Sequence, residues 1–167
     1  MTRPDAEALF RSHADSLFRY LTRMAGDHAT AEDVLQDTFQ RLLERPPRTV
    51  TNLRGWLFTV ATHRLRDVQR AGRRRREQAA LVGPRALADP PARPDEALDA
   101  TSARSQVRAA LDALSERDRT VLLMREEGFR HREIAEAVGT TTGSVGTLIA
   151  RALDRFAAHM EGQHAPT

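Results

Sequence analysis

The chain has 167 residues, 40% apolar and 29% charged, with a net charge of +3, the balance of a soluble globular protein of one ordinary domain or two small ones. It holds no cysteine, which excludes disulfides and thiolate metal sites. No apolar run approaches the ~20 residues of a membrane span and the N-terminus is amphipathic rather than signal-like, so a cytoplasmic address without membrane insertion is expected.

Aromatic residues make up only 5% of the chain, so cores of Leu, Val and Ala are expected, which suits an all-α fold. Residues 4–25 read as a first helix: Leu9, Phe10, Leu17, Phe18, Leu21 and Met24 share one face, and Gly26 stands just beyond the end. Thr30 is then expected to cap a second helix, with Asp33 at the third position and Glu32 also favouring the positive end. Its stripe is Val34, Leu35, Phe39, Leu42 and Leu43, and Pro46-Pro47 ends it. Five acids (Asp27, Glu32, Asp33, Asp37, Glu44) stand against Arg41 alone, a local charge of −4. Such a face is either simply solvated or a docking surface.

A long third helix is expected to begin near Asn52. Leu53, Trp56, Leu57, Val60, Ala61, Leu65 and Val68 keep helical spacing, while Arg54, Arg64, Arg66, Arg70 and Arg73 to Arg76 make the other face basic. Residues 53–76 carry +7, which leaves −4 for the rest of the chain. Blocks of like charge can be disordered tails. The arginines here begin inside the helical pattern, which favours an electrostatic footprint on phosphates. An acidic helix next to a basic one implies a first domain, residues 1–76, with two distinct binding faces.

Residues 77–97 read as a flexible linker, since Gly83, Pro84, Pro90, Pro91 and Pro94 interrupt an Ala-rich stretch. About 20 residues make a coil of ~25 Å, or ~70 Å when stretched. Two DNA sites two helical turns apart lie ~70 Å from one another, so both domains reach one duplex only if a large protein scaffold holds the linker extended.

A second domain, residues 98–160, resumes helical spacing with Leu98, Val107, Leu111 and Leu114. Ser115 is placed to cap the next helix, with Val121, Leu122 and Met124 inside and Gly128 closing it. Then Ile134, Ala135 and Val138 precede a break at Gly139, followed by Val145, Leu148, Ile149, Ala152, Leu153, Phe156 and Met160 at helical steps. Thr141 can cap this last helix, with Ser144 three positions on, and residues 161–167 form a tail. Two helices joined by so short a turn form either an αα-hairpin of any helical domain or a helix-turn-helix. Two observations favour DNA. The second helix opens with small polar residues (Thr140, Thr141, Thr142, Ser144, Thr147), as a groove-facing end should. Arg130, His131 and Arg132 crowd the start of the first, where phosphates would lie.

Taken together, these segments resemble the extracytoplasmic-function group of bacterial RNA polymerase sigma factors. Residues 31–44, AEDVLQDTFQRLLE, are similar to the family's polymerase-clamp-binding helix. Residues 53–70, LRGWLFTVATHRLRDVQR, are similar to its segment that melts and reads the downstream promoter box. Residues 114–128, LSERDRTVLLMREEG, and 133–152, EIAEAVGTTTGSVGTLIARA, are similar to its C-terminal domain, which reads the upstream box. The resemblance implies that Asp33, Gln36, Asp37 and Gln40 contact core RNA polymerase. It implies that Trp56, His63, Arg66 and Arg70, with Arg54, Arg73 and Arg74 of the basic cluster, engage the downstream box, where one base is flipped from the stack. Extracting that base costs a few kcal/mol, which phosphate contacts from an Arg-rich helix can offset. Taken alone, Trp56 reads better as a core aromatic than as a base-stacking residue. Upstream-box contacts fall to Arg130, His131, Arg132, Thr141, Thr142, Ser144, Thr147 and Arg151.

Four positions depart from the family pattern. His63 stands where Asn is frequent. Gly146 and Leu148 stand where many members carry Lys and Arg, and Gly146 costs ~1 kcal/mol of helix stability relative to Ala. Arg130 takes the place of the usual Ser or Thr cap. The expected partners are core RNA polymerase and promoter DNA, with an anti-sigma factor as a common antagonist in this family and no cofactor. The main alternative is a stand-alone dimeric helix-turn-helix regulator, which leaves the acidic and basic helices without a shared purpose. An enzyme is not expected: His13, His28, His63, His131, His159 and His164 lack the spacing of a metal motif, and no phosphate loop or catalytic triad pattern occurs.

Overall fold

The computed structural model describes residues 3–47, 52–81 and 102–162, and all regular structure among them is helical. The order is α1 (Arg3–Ala25), α2 (His28–Glu44), α3 (Leu53–Leu81), α4 (Ser102–Ala113), α5 (Glu116–Glu126), α6 (His131–Val138) and α7 (Thr142–Gly162). Leu98, most of the stretch read as a linker and the last five residues of the tail lie outside the described residues.

In the N-terminal half, α1, α2 and α3 pack side by side. Leu17, Leu21 and Met24 of α1 meet Val34 and Leu42 of α2 and Leu57, Phe58 and Leu65 of α3, all essentially without solvent contact. Each such side chain contributes ~1.5–3 kcal/mol when removed from water. The buried Tyr20 spans the bundle: its hydroxyl lies 2.8 Å from Thr62 Oγ1, and Thr62 gives its own proton to the Phe58 carbonyl at 2.7 Å. Thr62 therefore accepts, and the tyrosine donates.

The start of α2 differs from expectation. Asp27, not Thr30, is the cap: Asp27 is extended at φ −143°, and its Oδ1 accepts the Thr30 N–H at 2.7 Å. Gly26, at φ 79°, turns the chain so sharply after α1 that the next helix begins at once, leaving Thr30 inside its first turn. The apolar stripes also run out before their ends. Phe10, Leu43 and Val68 are largely exposed, although the Phe10 ring still meets Phe39 edge-on at 4.8 Å. α3 projects past the bundle, so nearly every residue from Arg70 onward is exposed.

In the C-terminal half, α5 and α6 pack on one another and both rest on α7, as does α4. Ser115 caps α5 as expected, its Oγ accepting the Asp118 N–H at 3.1 Å. Gly139 ends α6 at φ 67°, and the α7 stripe begins with the buried Val145. The far end of that stripe is not covered: Leu153 is 52% exposed and lines an open groove with Val107, Leu111, Leu122 and Phe156.

The two halves touch. α3 lies against α6 and α1 against α5, and buried residues of both halves form one continuous cluster. Its central contact is Phe58 against Phe129, ring centroids 4.7 Å apart.

Candidate nucleic-acid interface

The basic face of α3 arises because its inward positions, Leu57, Phe58, Ala61 and Leu65, leave arginines at the intervening steps of the helix. Arg70, Arg73 and Arg74 are exposed. Arg54, His63 and Arg66 are instead turned toward the C-terminal half. Arg54 gives one amino group to both the carbonyl and the carboxylate of Glu127, at 2.9 and 3.1 Å, and its guanidinium stacks 4.3 Å over the Phe129 ring. Arg66 reaches Glu116 at 2.6 Å and the Ala137 carbonyl at 3.0 Å, and the His63 ring nitrogen Nε2 lies 3.2 Å from that same carbonyl. Trp56 is half-buried and packs against the core, as a core aromatic would. On the neighbouring α1, burial and then the Arg54 charge lower the pKa of His13 below its usual value.

The helix-turn-helix is formed by α6, a turn of residues 139–141 and α7. Thr141, Thr142, Ser144, Thr147 and Arg151 are all exposed on α7 or just before it, and the Thr141 and Ser144 hydroxyls are hydrogen-bonded at 2.8 Å. Arg130, His131 and Arg132 are exposed at the start of α6. Arg130 has no capping hydroxyl to offer; Glu133 closes the turn by accepting the Arg130 N–H at 2.7 Å. Leu148 faces inward and packs on the core, so a basic residue there would have to leave the packed face. A Cβ at Gly146 would make ordinary contact with the His131 ring at 3.8 Å.

On α2, Asp33, Gln36 and Gln40 are exposed on the face opposite Ala31, Val34, Leu35, Thr38 and Leu42. Asp37 shares that face but is half-buried in an ion pair with Arg64 of α3. Among the described residues no helix is long and apolar enough to cross a membrane, and no three acidic or histidine side chains lie together as a metal site would require.

The family described as Sigma-70 region 2 matches residues 9–76, and Sigma-70 region 4 matches residues 104–156. SigL of Mycobacterium tuberculosis, an ECF RNA polymerase sigma factor, is 35% identical over 144 residues, covering 83% of this chain and 78% of its own. The chain belongs to the ECF sigma factors. The ECF sigma factor SigE of Mycolicibacterium smegmatis is 32% identical over 89% of the chain, which spans 58% of that relative's length. Among solved structures, RpoE of Bartonella quintana, bound to the anti-sigma factor NepR, shares the fold with a TM-score of 0.73 at 22% identity, covering 94% of this chain and 97% of its own. CnrH, bound to the cytosolic domain of CnrY, does so with a TM-score of 0.69 at 20% identity, covering 96% and 90%.

In this sigma factor, then, region 2 contributes α1 to α3 and region 4 contributes α4 to α7. The residues that sequence reasoning missed are those joining the two regions: Asn52, Glu116, Glu127, Phe129 and Glu133. The link from Arg66 to Glu116 spans 50 residues of sequence and that from His63 to Ala137 spans 74, so no local pattern signals them.

Proposed function

We propose that this chain binds core RNA polymerase, directs it to a specific set of promoters and initiates their transcription. In this reading Asp33, Gln36, Asp37 and Gln40 dock α2 on the polymerase. Arg54, Trp56, His63, Arg66, Arg70, Arg73 and Arg74 hold the downstream box and its displaced strand. Arg130, His131, Arg132, Thr141, Thr142, Ser144, Thr147 and Arg151 read the upstream box with the N-terminal turn of α7 in the major groove. The domain limits proposed are residues 1–76, a linker of residues 77–97 and residues 98–160. Residues 77–81, read from the sequence as flexible linker, instead continue α3, because Glu77-Gln78-Ala79-Ala80-Leu81 carries no helix breaker before Gly83-Pro84.

The observation that carries the reading is the presence, in one chain, of an exposed acidic face on α2 beside a basic α3 and a helix-turn-helix with a small polar leading turn. A stand-alone regulator has no use for the first of these. The chain acts by binding in the cytoplasm, where polymerase is, and performs no catalysis. An anti-sigma factor that covers these faces is its expected antagonist, by analogy with the partners of its structural relatives.

Co-purification with core RNA polymerase tests the reading. Stoichiometric binding is expected, and Asp33→Arg should abolish it. Asp33 is the cleaner position, because Asp37→Arg also places two arginines together by removing the partner of Arg64. If the wild-type chain ignores polymerase and binds duplex DNA tightly as a dimer, the reading is wrong and the stand-alone regulator takes its place.

A further inference from the structure

Helical spacing decides which residues of α7 face away from the protein. Val145 and Ala152 are fully buried, and Leu148 and Ile149 pack beside them, so Gly143, Thr147 and Ala150 stand exposed on the opposite face. In a helix-turn-helix the leading residues of the second helix meet base edges, while the first helix crosses the backbone. Arg130, His131 and Arg132, at the start of α6, therefore fall to phosphates, which position a protein without selecting a sequence.

Each base asks for its own side chain in the major groove. Guanine takes Arg or Lys, adenine takes Asn or Gln, and cytosine takes Asp or Glu; the thymine methyl takes an apolar contact from Ala or from the Thr methyl. Residues 140–150, TTTGSVGTLIA, contain none of the first six types. Arg151 is the first long donor along α7, and one guanidinium fixes one guanine. The small hydroxyls do not replace the missing donors, because they bond to either kind of base edge and so select little. Those of Thr141 and Ser144 are also engaged with one another at 2.8 Å. What the outward face offers instead is methyl groups, on Thr147 and Ala150. Beside them the backbone is bare: a Cβ at Gly143 would meet nothing within 4 Å, so this face can come close to the floor of a groove.

We propose that the upstream box of this sigma factor is specified by thymine methyl groups, read by the side chains of Thr147 and Ala150, rather than by hydrogen-bond donors aimed at guanine or adenine. This rests on the reading that places the N-terminal turns of α7 in the major groove.

The test uses the full chain with core RNA polymerase to select duplexes from a pool randomised across the upstream box. Each thymidine of the selected box is then replaced in turn by deoxyuridine, which deletes only the C5 methyl. At the contacted thymines the replacement should weaken binding ~4-fold, the value of one buried methyl group. Thr147→Ser keeps the hydroxyl and removes the methyl, and should erase the loss at one of these thymines. Thr147→Val keeps the methyl and removes the hydroxyl, and should retain it; the position is exposed, so neither change touches the core. Gly146→Arg, whose Cβ would make ordinary contact with the His131 ring at 3.8 Å, supplies a long donor and should raise guanine ~10-fold at one position on reselection. Binding indifferent to deoxyuridine throughout the box overturns the proposal and leaves the sigma reading intact. So does a deoxyuridine loss that survives unchanged in Thr147→Ser, or a selected box that Gly146→Arg leaves unaltered. A chain that selects no duplex in the presence of polymerase overturns both.

Discussion

Tyr20 offers an unusually clean probe of how the N-terminal bundle is held. It is the only tyrosine, and the chain has neither lysine nor cysteine, so between about pH 9 and 12 no other side chain titrates. Burial pushes its pKa from 10.0 up to about 12, opposed by the charge of Arg66. The folded state thus holds the neutral phenol. Stability is fully present below about pH 10; above it the unfolded tyrosine ionises while the folded one does not, and stability falls by ~1.4 kcal/mol per pH unit until about pH 12. The loss is on the order of 3 kcal/mol, a large share of the ~5–15 kcal/mol that holds a typical domain. Urea denaturation at stepped alkaline pH measures it, and tyrosinate absorbance of the native chain reports the pKa directly. Tyr20→Phe should abolish the alkaline slope and cost ~1 kcal/mol at neutral pH through the lost bond to Thr62. A native-state tyrosinate signal near pH 10, or a slope that survives in Tyr20→Phe, would refute the reasoning.

Other perturbations follow from the same packing. Phe129→Ala removes a fully buried ring that meets Phe58 and Arg54, and should cost ~3–5 kcal/mol, lowering the thermal midpoint by roughly 10 °C by circular dichroism. Arg155→Ala strands the Asp118 carboxylate, whose side chain is 6% exposed, without its partner at 2.6 Å. Because Arg155 is 57% exposed, screening reduces the cost of that lost pair to ~1–2 kcal/mol, measurable by urea denaturation. His13 is held below its usual pKa by burial and by Arg54, so folding disfavours its protonated form. Its contribution to stability is complete above the ordinary histidine pKa and declines as the pH falls below it; that acid-side decline should vanish in His13→Gln, as denaturation at stepped pH would show.

What could be read from the sequence was whatever short-range physics decides. Ser115 and Gly139 mark helix ends because a hydroxyl three residues from an amide, or a residue free to take positive φ, satisfies the backbone without help from elsewhere. The basic face of α3 and the exposed polar start of α7 follow from helical spacing alone, since the residues between them must go inside. The cap of α2 fell three residues from its expected place because both Asp27 and Thr30 suit a helix start, and only the tight turn at Gly26 decides between them. Which arginines stay free was decided by the tertiary structure. Arg54, Arg66 and Arg70 look alike in sequence, yet the first two meet Glu127, Glu116 and the Ala137 carbonyl, and Arg70 stands exposed. Those partners are set by how one folded half rests on the other around Phe58 and Phe129, a contact between residues 71 positions apart that leaves no periodic trace along the chain.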